Sequence, residues 1–333
     1  MLSALDIPIV GAPMAGGAST PELAAAACVA GGLGFLAAGY RTAAAMTEQI
    51  QQLRELTSHP FGVNLFVPGL DLADTSQVAA YRDRIAPEAE RLGVELGPAE
   101  WHDDDYPAKV AQLVTDPVAV VSFTFGLPGA SEVRQLHRAG SFLVATVTTP
   151  AEARAAAELG MDALCVQGAE AGGHQGSFDD ASERTTALLD LLTAVRAEVS
   201  LPLLAAGAIT DAVTVRRVLA AGAAAAQVGT LLLRCPESGA SATHQAALVD
   251  PRFTKTRVTR AFSGRRARGL ANRFLIEHDP AAPAAYPQVH YLTGPLRAAA
   301  ARAGEADTLH LWAGTGWRET SDRPAVEVVA ELG

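Results

Sequence analysis

Eight short apolar runs, separated by helical patterns, constrain the fold of this chain more than any other feature. The runs are too continuously apolar to alternate with polar residues, as expected for strands that are covered on both faces. Strand and helix patterns that alternate along a chain predict a parallel sheet with helical crossovers. The candidate strands span residues 7–12, 33–38, 61–67, 118–126, 141–148, 162–168, 202–207 and 223–229.

Helix start and stop signals lie between these runs. Thr20-Pro21 and Thr149-Pro150 each place an N-cap threonine before a proline at the first helical position. Thr210-Asp211 begins another helix, and Gly160 and Gly222 are placed to end helices. Eight strands with crossover helices favour an α/β fold closed into a TIM (β/α)8 barrel. An open, doubly wound sheet is the alternative.

Two regions break this rhythm. The crossover at 71–117 is long and includes the acidic run Asp103–Asp105, which we expect to be a solvated loop without a metal site. After the eighth strand the alternation of strands and helices is lost. We predict that residues 1–233 form the barrel, that 234–302 form a smaller mixed α/β cap over its mouth, and that 303–333 return to the barrel.

The bulk properties of the chain narrow the class of partner. A formal net charge of −10 argues against nucleic acid and against anionic membrane surfaces. No apolar run reaches the roughly 18 residues that span a bilayer, and the N-terminus lacks the basic region of a signal peptide. Cys28, Cys165 and Cys235 are odd in number and form no CxxC motif, which favours a reducing compartment. We therefore expect a cytoplasmic monomer or homodimer with a small-molecule partner.

A pair of glycines near the end of the predicted barrel indicates a phosphate site. In a parallel barrel, functional groups concentrate in the loops that leave the C-terminal ends of the strands. Gly207 and Gly229 stand where the last two strands end, and Thr230 adds a hydroxyl. Loops at these two places often bind phosphate, because glycine lets backbone N–H groups approach an anion closely. The alternative is that both glycines only form tight turns.

The segment QGAEAGGHQGSF, residues 167–178, follows the sixth predicted strand. Gly172, Gly173 and Gly176 flank His174 and leave room for a flat ligand to approach the backbone. Because histidine exchanges its proton near neutral pH, His174 is a candidate general base or hydrogen-bond donor. The alternative is a solvent-facing histidine in a turn. We expect no role in the site for the other seven histidines, which are His59, His102, His137, His244, His278, His290 and His310.

Six motifs, in order along nearly the whole chain, resemble those of the nitronate monooxygenases, once called 2-nitropropane dioxygenases. They are GAPMAGGASTPELAAAACVAGGLGFLAAGY, FGVNLF, CVQGAEAGGHQG, AAGAITD, AAAAQVGT and LHLWAGTG. The class I branch, with its APMAGG start, AGGHxG loop and LWAG motif, is the closer match. The resemblance implies a TIM barrel that holds FMN at the C-terminal ends of its strands, with a second domain covering the flavin.

The resemblance also implies roles for individual positions. His174 matches the catalytic histidine of the family. Met14 would lie against the isoalloxazine ring, and Gly172 would let the backbone approach the cofactor. Asn64 and Gln167 would form hydrogen bonds with polar atoms of the flavin. The phosphate end of FMN would be bound by Gly207, Gln227, Val228, Gly229 and Thr230.

Two positions depart from the family pattern. Ala208 stands where the family often has a second glycine after the seventh strand, and Thr315 stands where it commonly has glutamine. The alanine tightens the loop at the phosphate site. The shorter threonine removes any contact that a glutamine side chain would make.

The implied reaction is the oxidation of an alkyl nitronate, such as propionate 3-nitronate, by O₂. It would proceed through a flavin semiquinone and yield a carbonyl compound and nitrite. His174 would orient the nitro group or deprotonate a neutral nitroalkane. Two alternatives remain open: an FMN-dependent NAD(P)H:quinone or enoyl reductase on the same scaffold, and a non-redox barrel that binds a phosphate ligand.

Overall fold

Eight parallel strands form the barrel that the sequence predicts. The computed structural model describes residues 1–333, and each predicted strand is present: β1 Ile9–Gly11, β2 Phe35–Ala37, β3 Gly62–Phe66, β4 Val120–Thr124, β5 Phe142–Val147, β6 Ala163–Gln167, β8 Leu203–Ala206 and β9 Ala225–Val228. Their order in the sheet is β1-β9-β8-β6-β5-β4-β3-β2. A parallel bridge between Val10 and Leu33 joins the two ends of this order. The open, doubly wound alternative is therefore wrong.

The helices begin where the sequence places their caps. The side chains of Thr20, Thr149 and Asp211 each accept a hydrogen bond from a backbone N–H in the first turn that follows. The barrel helices and the remaining helices are α1 Pro21–Val29, α2 Ala43–Leu56, α3 Thr75–Arg91, α4 Tyr106–Thr115, α5 Ala130–Ala139, α6 Pro150–Leu159, α7 Leu188–Glu198, α8 Ala212–Ala220, α9 Ala242–Ala247, α10 Arg273–His278, α11 Gln288–Ala303 and α12 Ala325–Leu332. None of these helices combines the length and apolarity needed to cross a membrane.

Apolar side chains cover both faces of the barrel strands. One cluster fills the interior and includes Val10, Phe35 and Val120, whereas a larger cluster lies between the strands and the helices. The last helix, α12, belongs to the larger cluster and packs against α1 and α8. Burial on both faces is the physical reason why these strands read as continuous apolar runs.

A second sheet of three antiparallel strands covers the barrel mouth. Its order is β10-β11-β7, where β10 is Thr256–Thr259, β11 is Ala267–Leu270 and β7 is Gly173–His174. The short strand β7 lies within the glycine-rich segment that the sequence analysis treats as a polar loop. His174 pairs with Ala267, and Gly173 pairs with Arg268. The segment after barrel strand β6 is therefore an edge of the covering sheet.

The hydrophobic cluster above the barrel combines distant parts of the chain. Helix α3, from the long crossover, packs against α11, and Tyr81 donates a hydrogen bond of 2.6 Å to the carbonyl of Ala261. The same cluster contains Phe262, Phe274, Val289, Leu292 and Leu296. The packing unit that covers the mouth thus includes a helix that precedes the predicted cap range of 234–302.

The acidic run in the long crossover differs from the expected solvated loop. Asp104 is largely buried and forms an ion pair of 2.7 Å with Lys109, whose side chain is 1% exposed. Lys109 also donates to the carbonyl of Ala38, and Asp104 accepts from the backbone N–H of Tyr40, whose φ is 65°. The pair stabilises a left-handed turn directly after β2, and the sequence pattern alone did not show this.

We expect Lys109→Met to lower the free energy of unfolding by about 3 kcal/mol, because the substitution leaves the carboxylate of Asp104 buried without its partner. Urea unfolding followed by circular dichroism measures the change. The matched control is Arg54→Met, which breaks an exposed ion pair with Asp116 and should cost no more than about 1 kcal/mol. Equal losses in the two variants would contradict a structural role for the buried pair.

Candidate functional site

A cavity of about 510 Å³ lies between the C-terminal ends of the barrel strands and the covering sheet. This volume is within the usual range for small-molecule and cofactor sites. The structure brings all ten residues of the sequence-based site prediction to this one cavity. They are Met14, Asn64, Gln167, Gly172, His174, Gly207, Gln227, Val228, Gly229 and Thr230.

Backbone donors collect where β8 and β9 end. The N–H groups of Gly207, Ala208, Gly229 and Thr230 form no hydrogen bonds within the protein, and all four residues line the cavity. The hydroxyl of Thr230 accepts a hydrogen bond of 3.0 Å from the backbone N–H of Gly314, so its own proton remains available for donation. A set of free donors without a nearby carboxylate suits a phosphate group.

The floor of the cavity offers hydrogen-bond acceptors and apolar surface. Asn64 donates both amide protons, to Ser122 at 2.9 Å and to Thr124 at 3.0 Å, which leaves its carbonyl oxygen as a free acceptor. Met14 is fixed by a 2.8 Å hydrogen bond from its backbone N–H to the hydroxyl of Ser19. Its Sδ lies next to Gly229: a Cβ built on that glycine would be 3.5 Å from the sulfur.

The Gln167 side chain stabilises the loop that carries His174. Its Nε2 donates to the carbonyl of His174 at 3.1 Å, and its Oε1 accepts from the N–H of Gly176 at 2.7 Å. Gly172 approaches a different neighbour from the one expected, since a Cβ there would lie 2.6 Å from the carbonyl carbon of Ala313. The glycine is therefore required for contact with the C-terminal LWAG segment, whatever ligand the loop also meets.

The imidazole of His174 lies among aromatic rings and is held by a serine. Its Nε2 is 2.8 Å from the hydroxyl of Ser263, and that hydroxyl donates to the carbonyl of Arg265 at 3.1 Å. From this network, Nε2 carries the proton, and Nδ1, which has no protein partner, is an acceptor. The rings of Phe125, Tyr286 and Trp312 have centroids 5.5 to 5.9 Å from that of the imidazole.

Burial keeps His174 uncharged. Removal from water, followed by the charges of Arg265 and Arg297, lowers the pKa of His174 to about 3. Arg265 is itself held by cation–π contact with Phe125, at 4.0 Å from the ring centroid. His174 is thus a neutral hydrogen-bonding group at physiological pH, and Nδ1 is a weak base.

Three histidines that were expected to lie outside the site also line the cavity. They are His244, His290 and His310. His290 stacks on Tyr40 with ring centroids 3.7 Å apart, and both rings belong to the cavity wall. The expectation that only His174 would face the site is wrong, because the other histidines reach it through the packing of α9, α11 and the LHLW segment.

Sequence spacing contains a signal for these missed residues. His290, Gly294, Arg297 and Ala301 line the cavity and recur at the spacing of one face of α11. His310 and Trp312 line the cavity on either side of the buried Leu311, as alternate side chains do in an extended segment. Ser263 has no comparable signal, since only the packing of the covering sheet brings it to His174.

We expect the free energy of unfolding to fall as pH drops from about 6.5 to 5.5. Burial lowers the pKa of His174 to about 3 and that of His244 to about 4, and it lowers those of His290 and His310 well below the usual value. Below about pH 6.5 the unfolded chain binds protons that the folded chain does not bind. Each such histidine therefore costs about 1.4 kcal/mol per pH unit in this window, and the loss is absent above it.

Urea unfolding at several pH values measures this slope. His244→Gln should reduce the slope by about 1.4 kcal/mol per pH unit, because one titrating group is removed. His59 is exposed, so His59→Gln should keep the slope of the parent protein. An unchanged slope in the His244 variant would show that this histidine is protonated in the folded state.

The alanine that departs from the family pattern has a strained backbone. Ala208 has φ of 48°, beside Gly207 with φ of 130°. We expect Ala208→Gly to raise the free energy of unfolding by up to about 1 kcal/mol, since glycine enters the left-handed region without steric cost. In contrast, Ala111→Gly in the exposed middle of α4 should lower it by about 1 kcal/mol. A loss of stability in both variants would refute strain at Ala208.

Comparison with known proteins gives a consistent family. The family model described as nitronate monooxygenase matches residues 2–333. A nitroalkane oxidase from Streptomyces ansochromogenes is 52% identical, with a TM-score of 0.96, over 99% of this chain and 95% of that one. Nitronate monooxygenases from Pseudomonas aeruginosa and Paraburkholderia phytofirmans are 39% and 38% identical over 99% of this chain, and over 96% and 92% of their own lengths.

The family match, the relatives and the barrel agree over the full length of the sequence, and the motifs that suggested the family lie together around one cavity. The chain belongs to the nitronate monooxygenase family of oxidoreductases.

Proposed function

We propose that this protein is an FMN-dependent nitronate monooxygenase that oxidises alkyl nitronates, such as propionate 3-nitronate, with O₂ to a carbonyl compound and nitrite. The observation that carries the proposal is a single cavity that combines a neutral, buried His174 with a cluster of free backbone donors. The family is generally flavin-dependent, and the relatives named above are nitronate monooxygenases and a nitroalkane oxidase.

The residues present fit an FMN molecule. The free N–H groups of Gly207, Ala208, Gly229 and Thr230 would hold its phosphate. Gln227 and Val228, at the end of β9, would contribute to the same end of the cofactor. The ring would be held by the apolar side chain of Met14, by the free carbonyl oxygen of Asn64, and by the loop that contains Gln167 and Gly172. When bound, FMN would accept electrons from the nitronate and pass them to O₂.

The cavity favours an anionic substrate because none of its lining residues is an aspartate or a glutamate. His174 is the polar side chain best placed to orient that substrate. If the Ser263 hydroxyl donated to Nε2, the imidazole would be the tautomer with its proton on Nδ1, and Nδ1–H would then donate to an oxyanion. With its low pKa, His174 removes a proton from a neutral nitroalkane poorly. We therefore propose that nitronates already formed are the better substrates.

The three cysteines are buried and unpaired, in keeping with a reducing compartment. We therefore propose a cytoplasmic location, and a protein that acts on its small-molecule substrate as a monomer or homodimer.

The purified protein should be yellow and should release FMN on denaturation. With propionate 3-nitronate it should consume O₂ and produce nitrite. His174→Asn should lower kcat/KM by about 10²- to 10³-fold, as expected when one oxyanion donor is removed. His59→Asn, at an exposed position, is the matched control and should keep full activity.

Three outcomes would separate the alternatives. A colourless protein without flavin absorbance would reject the cofactor and favour a non-redox barrel. Rapid anaerobic bleaching of the flavin by NADH or NADPH, without turnover of nitronate, would favour a quinone or enoyl reductase. Full activity in His174→Asn would remove the histidine from the reaction while keeping the flavin.

A further inference from the structure

One arginine is the only formally charged side chain that lines the cavity. The wall consists of 44 residues, among which Arg297 is the sole arginine, and lysine, aspartate and glutamate are absent. The chain as a whole has 36 acidic against 26 basic residues, so a cavity without any acidic side chain is unlike the rest of the molecule. Arg297 is therefore the one full charge on the cavity wall, and its charge and that of Arg265, which does not line the cavity, both lower the pKa of His174.

The guanidinium of Arg297 contacts only neutral groups. Its Nε donates to the hydroxyl of Thr293 at 3.0 Å, and Nη2 donates to the carbonyl of His290 at 2.7 Å and lies 3.2 Å from its Nδ1. Nη1 lies 3.4 Å from Nε2 of His310. A guanidinium has five N–H donors, so these four contacts leave one N–H on Nη1 without a partner. No carboxylate compensates the charge.

One histidine beside Arg297 supplies a further donor. Because His310 accepts through Nε2, its proton is on Nδ1, and that buried atom has no hydrogen-bond partner. Nε2 of His244 is also buried and unpartnered, but this neutral imidazole gives its proton to the backbone carbonyl of Trp312, so Nε2 is an acceptor. Both side chains line the same cavity as Arg297. Unsatisfied buried donors are costly, and they are retained where a ligand completes them.

Burial lowers the pKa of Arg297 to about 10, so the side chain still carries its charge at neutral pH. A buried cation without a counter-ion is unfavourable unless a bound anion compensates it. The contacts of Arg297 are with α11 and the LHLW segment, and none is with the loops after β8 and β9. The donors available for the phosphate of FMN are therefore a separate set.

We propose that Arg297 is a specificity-determining residue that binds an oxyanion of the substrate. The oxyanion is either the nitronate group itself or a carboxylate that the substrate carries. His310 lies with Arg297 on the cavity wall and completes the donor set. Tyr40 stacks on His290, and His290 accepts two hydrogen bonds from the guanidinium. The inference rests on the proposed function for the identity of the substrate, but the anion site itself is independent of turnover.

The first test compares two nitronates, those of 3-nitropropionate and 1-nitropropane, in the parent protein, Arg297→Gln and Arg297→Lys. We expect Arg297→Gln to raise KM by about ten- to a hundredfold, the scale of a hydrogen bond to a charged group. Arg297→Lys keeps the charge and should keep most of the affinity. A loss confined to 3-nitropropionate nitronate identifies the carboxylate as the bound group, whereas an equal loss with both identifies the nitronate.

The control is Arg302→Gln, an exposed arginine on the same helix, which should bind and turn over both nitronates like the parent protein. An unchanged KM for both nitronates in Arg297→Gln would overturn the proposal. The proposal would also be overturned if Arg297→Gln and Arg297→Lys raised KM equally and lowered the melting temperature equally, because the guanidinium would then only stabilise the fold. Release of flavin from Arg297→Gln alone would assign the arginine to the cofactor and also overturn it.

A second test does not depend on turnover. Calorimetry with nitrate, a planar oxyanion that does not react, should show binding to the parent protein and to Arg302→Gln, and about ten- to a hundredfold weaker binding to Arg297→Gln. Equal nitrate affinity in all three proteins would overturn the anion site. A parent protein that binds nitrate through Arg297 but turns over neither nitronate would reject the proposed function and support the anion site.

Discussion

The short antiparallel pairing of β7 with β11 is the contact on which the candidate site depends. It joins the segment that follows barrel strand β6 to the sheet over the barrel mouth, through His174 with Ala267 and Gly173 with Arg268. Because β7 directly follows barrel strand β6 in the chain and pairs with a strand of the covering sheet, these hydrogen bonds fix His174 relative to Ser263 and close the cavity above the strand ends. Gly172 permits this closure, since a side chain there would collide with Ala313.

The closed cavity explains the unusual electrostatics of the site. The protein is acidic overall, but no carboxylate lines the cavity. Burial lowers the pKa of the lining histidines His174 and His310 and so favours their neutral forms. Arg297 is the one charged side chain on the cavity wall, and the free backbone N–H groups of Gly207 and Gly229 form a second, separate set of donors. Low dielectric strengthens each of these interactions with an anion, because little water competes for the donors.

A buried ion pair stabilises the backbone next to the site. Lys109 and Asp104 stabilise the left-handed turn at Tyr40, and Tyr40 stacks on His290, which accepts a hydrogen bond from Arg297. A residue of the long crossover is thereby connected to the guanidinium through side chains in direct contact. The crossover and the covering layer thus act together, and helix α3 of the same crossover belongs to the hydrophobic cluster of the cover.

The sequence by itself determined the eight strands and their parallel arrangement, because these depend on local apolar runs. It also determined that the loops with Gly207, Gly229 and His174 would meet, because the strands of a parallel barrel all end at the same face. Tertiary structure alone decided that Ser263 holds His174 and that Arg297 enters the cavity without a counter-ion. These residues lie far apart in the chain and come together through antiparallel pairing and hydrophobic packing in the covering layer, which no local pattern specifies.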